Sequence, residues 1–143
     1  MPKTFRLKVI TPNAIVLDED VEQIIARSVD GEVGILPDHM PLITPLSTAP
    51  FQYWNGGERK VAAVLGGMME VFKEGVTVIS DHAALAENID VVVAEKEKEL
   101  AEAKLAQRKD KVDIQKAELE LTRLLVMLEA VEMAKKLKNT RMG

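Results

Sequence analysis

Two aspartate–histidine pairs, Asp38-His39 and Asp81-His82, are the residues of this chain whose types suit acid–base chemistry, a carboxylate steadying an imidazole that exchanges a proton near neutral pH. Adjacent residues of a strand point to opposite faces, so adjacency alone makes neither pair an orienter and its base. No nucleophile stands at a recognisable spacing from either pair. Cysteine is absent, which excludes thiol catalysis, Cys-ligated zinc and a disulfide scaffold. Two histidines without carboxylates at ligand spacings make a poor metal site, so no metal is expected. Both pairs read as polar loop ends, with a hydrolase using His39 or His82 as the minor alternative.

Gly56-Gly57 and Gly66-Gly67 resemble phosphate loops only superficially. A phosphate cradle opens into a helix N-terminus, whereas Gly66-Gly67 runs into the strand-like Met68-Met69-Glu70-Val71-Phe72. Both pairs read as turns, and Met68, Met69, Met127 and Met133 read as core or seam filler. Near the C-terminus, Lys135, Lys136, Lys138 and Arg141 form a basic cluster. It reads either as a solvated helix end whose cations complement the dipole, or as a tip that meets an acidic partner.

These residues are carried by two unlike halves. All six prolines lie between Pro2 and Pro50 and seven of the eight glycines between Gly31 and Gly75, while the 67 residues from 76 to 142 contain neither. Charge divides at the same place: residues 1–86 hold 7 basic and 11 acidic side chains and residues 87–143 hold 12 of each, so the whole net charge of -4 belongs to the first half. The expected domains are therefore 1–86 and 87–143.

The first half alternates apolar and polar residues, as in Phe5-Arg6-Leu7-Lys8-Val9, and is punctuated by Asp30-Gly31, Asn55-Gly56-Gly57 and Lys73-Glu74-Gly75. Short strands with turn signals at this density predict a sandwich or a flattened barrel. The second half predicts two helices. One spans about residues 89–106 behind an Asn88 N-cap, and a break at residues 108–111 leads to the other, about 112–138. In the second, Ile114, Ala117, Leu121, Leu124, Leu128 and Val131 recur at spacings of three and four, the stripe of a helix–helix seam. That stripe fits an intramolecular hairpin or, alternatively, a dimerising coiled coil on a β-domain adaptor. The fold class is α+β.

At 47% apolar and 29% charged the chain is composed like a folded domain, and no apolar run approaches the roughly 18 residues of a membrane span. The N-terminus MPKTFRLKVI reads as a strand rather than a targeting peptide, so the mature chain is expected to begin here. A pI near 5.3 leaves no basic face for nucleic acid.

Residues 31–46, GEVGILPDHMPLITPL, closely resemble the signature stretch of the ε subunits of bacterial F-type ATP synthases, G-E-x-G-I-L-P-x-H-x-P-L. Val9-Ile10-Thr11-Pro12 is similar to that family's V-x-T-P, Gly66-Gly67-Met68-Met69-Glu70-Val71 to its G-G-x-x-E-V, and the spacing from Leu121 to Met133 to its second helix. The resemblance covers nearly the whole chain in order. It implies an N-terminal sandwich of about ten strands and a C-terminal antiparallel two-helix hairpin, in a non-catalytic rotor subunit peripheral to the cytoplasmic side of the cell membrane. The implied partners are the γ subunit and the c-ring, with the α/β hexamer joining when the helices extend and block ATP hydrolysis. The isolated chain is expected to be a monomer.

By position, the resemblance places Glu32, His39, Met40 and Pro41 at the c-ring side. It also has Lys135, Lys136, Lys138 and Arg141 meet acidic loops of the catalytic subunits. Many bacterial members bind ATP through I/L-D-x-x-R-A and arginines of the second helix. This chain keeps Ile89, Asp90 and Arg123 but has Val93 and Met127 where arginines are expected. Losing two guanidinium groups removes several charge-assisted hydrogen bonds, so the pocket is expected to be vestigial and no cofactor is assigned.

Overall fold

The computed structural model describes residues 3–107 and 110–140, without the side chains of 137–140. Eight strands come first: β1 Phe5–Thr11, β2 Ala14–Val21, β3 Gln23–Ser28, β4 Gly31–Ile35, β5 Leu42–Asn55, β6 Glu58–Phe72, β7 Gly75–Ile79 and β8 Ala83–Leu85. A 3-10 turn, Ala86–Asn88, leads to helices α1 Val91–Gln107 and α2 Lys111–Thr140. The strands are hydrogen-bonded in the order β2-β1-β7-β6-β5-β3-β4, with β8 beside β6. All pairings are antiparallel except β1 with β7.

The two long strands make one sheet serve as both layers. β5 and β6 pair from Leu42 opposite Val71 to Asn55 opposite Glu58, closed by a turn in which Gly56 and Gly57 have φ of 61° and 78°. Positive φ at both central residues is what a tight hairpin matched to strand twist requires. Midway, β6 changes neighbours: residues 62–64 lie beside β8 and residues 68–72 beside β7. The change falls at Gly66 and Gly67, with φ of 84° and 116°. A Cβ on Gly67 would collide with the Ile79 carbonyl oxygen, so the strands approach closely only because that position is glycine. Each long strand thus does the work of two, which reconciles eight continuous strands with the expected ten.

At the same bend both strands exchange their inward faces. In β6, Ala62 and Val64 are buried before it, and Met69 and Val71 after it; in β5, Thr44 and Leu46 give way to Ala49, Phe51 and Tyr53. Between the layers lies a core containing Leu7, Val9, Val21, Ile24, Phe51, Val64, Met69 and Val78. Met68, read from the sequence as filler, instead points out to solvent, because the bend shifts the alternation by one residue.

A second, smaller core lies on the outer face of the β5–β6 hairpin. Val61 and Ala63 of β6 pack with Ala86 and with Val126 and Ala130 of α2, flanked by Leu65, Ile89, Met127, Met133 and Ala134. α2 packs on β5, β6 and the 3-10 turn, and α1 packs on α2. The α1–α2 seam buries Ala94 and Ala101 against Ala117 and Leu124, with Ile114 and Leu121 half-buried, as the spacing predicted.

Helix boundaries follow their caps. The Val93 N–H donates to Asp90 Oδ1 at 3.2 Å, so the N-cap of α1 is Asp90 rather than Asn88, which closes the preceding 3-10 turn. The Val112 N–H donates to Asp110 Oδ1 at 3.3 Å and starts α2. The break falls where expected, and Arg108 and Lys109 within it lie outside the described residues.

Candidate partner-docking surfaces

The two histidines form no catalytic pair. Asp38 gives its carboxylate to Lys3 at 2.9 Å from a backbone with φ of 66°, and that hydrogen bond raises the Lys3 pKa. His39 is half-buried, with Nδ1 unpartnered among the described residues. His82 is exposed and contributes its carbonyl, which accepts from Ser80 Oγ at 2.9 Å and from the Leu65 N–H at 3.0 Å. Among the described residues no group of three or more potential ligands is placed to hold a metal.

What the fold builds instead are surfaces. Register places Ile15 opposite Ile10, Ile10 opposite Ile79, Ile79 opposite Met68 and Met68 opposite Pro45. These five side chains form one apolar row across β2, β1, β7, β6 and β5. Ile15, Ile79 and Met68 keep 62%, 48% and 39% of their surfaces exposed. Ile43 and Phe72 are exposed on the same outer face, whose charged neighbours Arg6, Asp18 and Asp20 satisfy one another at 2.7 and 3.3 Å. A contiguous apolar strip rimmed by paired charges marks a contact surface rather than a stray exposed residue. It lies on the layer opposite the helices. Sequence reading missed it because Met68 and Ile79 look like core until the inward face of each strand is assigned.

At the loop end, Leu36 and Met40 are exposed apolar tips beyond β4, Met40 at 79%, with Pro41 exposed beside it. Glu32 stands within β4, across from Arg27 of β3 and beyond the turn formed by Val29 and Asp30. Both line a cavity of about 130 Å³ shared with Val126, Glu129 and Met133 of α2. The fold therefore turns Glu32 toward the helix side, while Met40 and Pro41 project from the loop between β4 and β5.

The residues expected at a nucleotide pocket have other duties. Ile89 belongs to the second core, and Asp90 caps α1. Arg123 is half-buried with Nε unpartnered, and no ion pair joins it to Asp90 among the described residues. Val93 is exposed, and Met127 packs against the second core. Lys135 and Lys136 are exposed near the end of α2; Lys135 lines a groove of about 580 Å³ with Tyr53, Arg59, Lys60 and Glu87. The Lys138 side chain and Arg141 lie outside the described residues. Burial, with help from Glu19 and Glu87, holds the Tyr53 pKa well above its usual value.

Two family models match in succession: the β-sandwich domain of the ATP synthase delta/epsilon chain over residues 4–86, and its long α-helix domain over residues 87–132. The ATP synthase epsilon chain of Caldanaerobacter subterraneus is 44% identical over 130 residues, covering 90% of this chain and 94% of that one. That of Desulforamulus reducens is 37% identical, covering 92% and 100%. Among solved structures, a chain of the Euglena gracilis mitochondrial ATP synthase (OSCP/F1/c-ring) superposes with a TM-score of 0.74 at 25% identity, covering 94% of this chain and 83% of that one. A chain from the central stalk and c-ring of the Tetrahymena thermophila enzyme shares the fold with a TM-score of 0.56 at 13% identity, covering 90% and 97%.

Proposed function

The chain belongs to the ATP synthase delta/epsilon family, and from that membership we propose that it is the central-stalk rotor subunit that couples ion translocation to ATP synthesis and restrains ATP hydrolysis through its C-terminal helices. Its partners are the γ subunit and the c-ring. It is a stalk subunit rather than a catalytic one, and the nucleotide chemistry belongs to its neighbours in the complex. No helix among the described residues is long and apolar enough to cross a membrane. Membrane association comes through the complex, on the cytoplasmic side of the cell membrane.

The observation that carries this reading is the apolar row from Ile15 to Pro45, left free on the sheet layer that the helices do not cover. Residues 1–86 are assigned to docking, with γ against that row and the c-ring toward Met40, Pro41, His39 and Glu32. Residues 87–143 are assigned to regulation. Their hairpin is held by one small core and one alanine-rich seam, so contacts of similar size to γ and the α/β hexamer can replace them. Two states separated by a few kcal/mol are within reach of ligand and partner control. Lys135, Lys136, Lys138 and Arg141 then meet acidic loops of the catalytic subunits.

Removing the subunit from energised membranes tests the assignment. Coupled ATP synthesis is lost and the chain co-purifies with γ; synthesis undiminished in its absence would overturn the reading.

A further inference from the structure

The β5–β6 hairpin turns through Asn55-Gly56-Gly57-Glu58, with Asn55 paired to Glu58. An asparagine directly before a glycine has a reactive neighbour, because a residue without Cβ leaves its backbone nitrogen open to the preceding side-chain amide. Here that nitrogen is also uncommitted: among the described residues the Gly56 N–H makes no hydrogen bond, whereas the Gly57 N–H donates to Glu22 Oε1 at 2.7 Å. Gly56 is exposed, and a Cβ built on it would meet nothing within 4 Å, so water reaches the tip freely. The other asparagines, Asn13, Asn88 and Asn139, precede Ala14, Ile89 and Thr140, whose side chains shield the nitrogen.

The Asn55 side chain is held. Its Nδ2 donates to Glu19 Oε1 of β2 at 3.0 Å, both residues are half-buried, and Lys60 Nζ lies 3.9 Å from the same oxygen. Through Glu19 and Glu22 the tip is thus tied to β2 and the residue that follows it. The tie depends on the chemistry of position 55. An amide donates to a carboxylate, but a second carboxylate there would set acceptor against acceptor and like charge against like.

We propose that Asn55 is a spontaneous deamidation site, that Glu19 is the guard that sets its rate, and that the product unfastens the hairpin tip from β2. The Gly56 nitrogen gives up its proton and bonds to Asn55 Cγ, and the amide nitrogen leaves as ammonia, which closes a succinimide ring. Water then opens the ring. Attack at Cγ gives aspartate, and attack at the main-chain carbonyl gives isoaspartate, whose backbone is longer by one carbon. Nothing is oxidised or reduced. Aspartate faces Glu19 with no proton to share, and isoaspartate also breaks the pairing with Glu58. The change is reported next door by Trp54, the only tryptophan, whose ring lies 5.8 Å from the Arg59 guanidinium. The chemistry belongs to the chain itself and is independent of what the sandwich docks on.

Incubating the full-length chain in mildly alkaline buffer, with peptide mass spectrometry and ammonia release as readouts, tests this. Asn55 is expected to convert ahead of Asn13 and Asn88, to both aspartate and isoaspartate. Glu19→Ala is expected to speed conversion about tenfold, the gain in freed amide when one hydrogen bond to a charged group is lost. Asn55→Asp, which imitates the product, is expected to shift Trp54 fluorescence and to melt lower by about 3 °C or more. Adding Glu19→Gln to Asn55→Asp exchanges donor and acceptor across the same contact and is expected to restore both. Asn55 outlasting Asn13 or Asn88, an unchanged rate in Glu19→Ala, or Asn55→Asp as stable as the unaltered chain would each overturn the proposal, as would failure of the exchanged pair to recover.

Discussion

Val61 and Ala62 are neighbours in β6, both are buried, and they belong to different cores: Ala62 faces Val64 and Phe51 between the layers, Val61 faces Val126 and Ala130 under α2. One strand thus closes the sandwich and carries the helices. A fragment of residues 1–86 keeps the first core whole and loses the cover of the second. It is expected to fold with β-rich circular dichroism, to be less stable than the whole chain by about 2 kcal/mol, the burial of Val61 with part of Leu65, and to bind a hydrophobic dye. An unfolded fragment would show that the sandwich depends on the helices.

Tyr53 is the single tyrosine, so its titration can be read directly in the ultraviolet. Burial first, then the Glu19 and Glu87 carboxylates, raise its pKa in the folded state. A raised folded pKa means a contribution to stability that is whole below the unfolded value near 10 and is lost as pH rises through the folded value. Phenolate absorbance is expected to appear well above pH 10 in the native protein and at about pH 10 in urea, and Tyr53→Phe to flatten the alkaline loss of stability. Coincident titration in both states would contradict this.

Deleting residues 135–143, or replacing Lys135, Lys136, Lys138 and Arg141 by alanine, is expected to raise ATP hydrolysis by the complex severalfold with assembly intact. High salt is expected to act in the same direction, because exposed ion pairs weaken as the screening length falls to about 3 Å at 1 M. Unchanged hydrolysis in both variants would mean that the cluster is a solvated helix end.

Nucleotide binding by the isolated chain is expected to be weak. Each missing hydrogen bond to a charged group forfeits roughly 1.5–3 kcal/mol, so two absent arginines cost about two to four orders of magnitude in affinity. Asp90 is already engaged as the α1 cap. Calorimetry with millimolar ATP is expected to show no saturation. Val93→Arg, at an exposed position, is expected to improve binding, whereas Met127→Arg also removes packing from the second core. Saturation in the micromolar range by the unaltered chain would contradict this.

How legible all this was in the sequence depends on the kind of signal. The change from strands to helices, the Gly56-Gly57 turn and the stripe from Ile114 to Val131 follow from local periodicity and turn chemistry, and the fold bears them out. The outward placement of Met68 does not, because the alternation reverses at Gly66-Gly67 and only the strand pairing reveals the reversal, whereas Ile79 follows Val76 and Val78 in the plain alternation of β7. Asp30-Gly31 reads as the turn, whereas Val29 and Asp30 form it and Gly31 already pairs with Ser28. Asn88 and Asp90 are both acceptable N-caps by type, and the choice between them rests on which residue ends the 3-10 turn anchored by the buried Ala86.

If this chain docks on γ through the outer face of its sheet, as proposed, replacing Met68 and Ile79 each by glutamate is expected to show in its affinity for purified γ. Both positions are exposed, so the variant is expected to fold and melt as the unaltered chain does. Charges buried in the contact are expected to weaken capture of γ by about a hundredfold or more, roughly 2.7 kcal/mol. Unchanged affinity in a folded variant would contradict the account and move the docking surface elsewhere on the molecule.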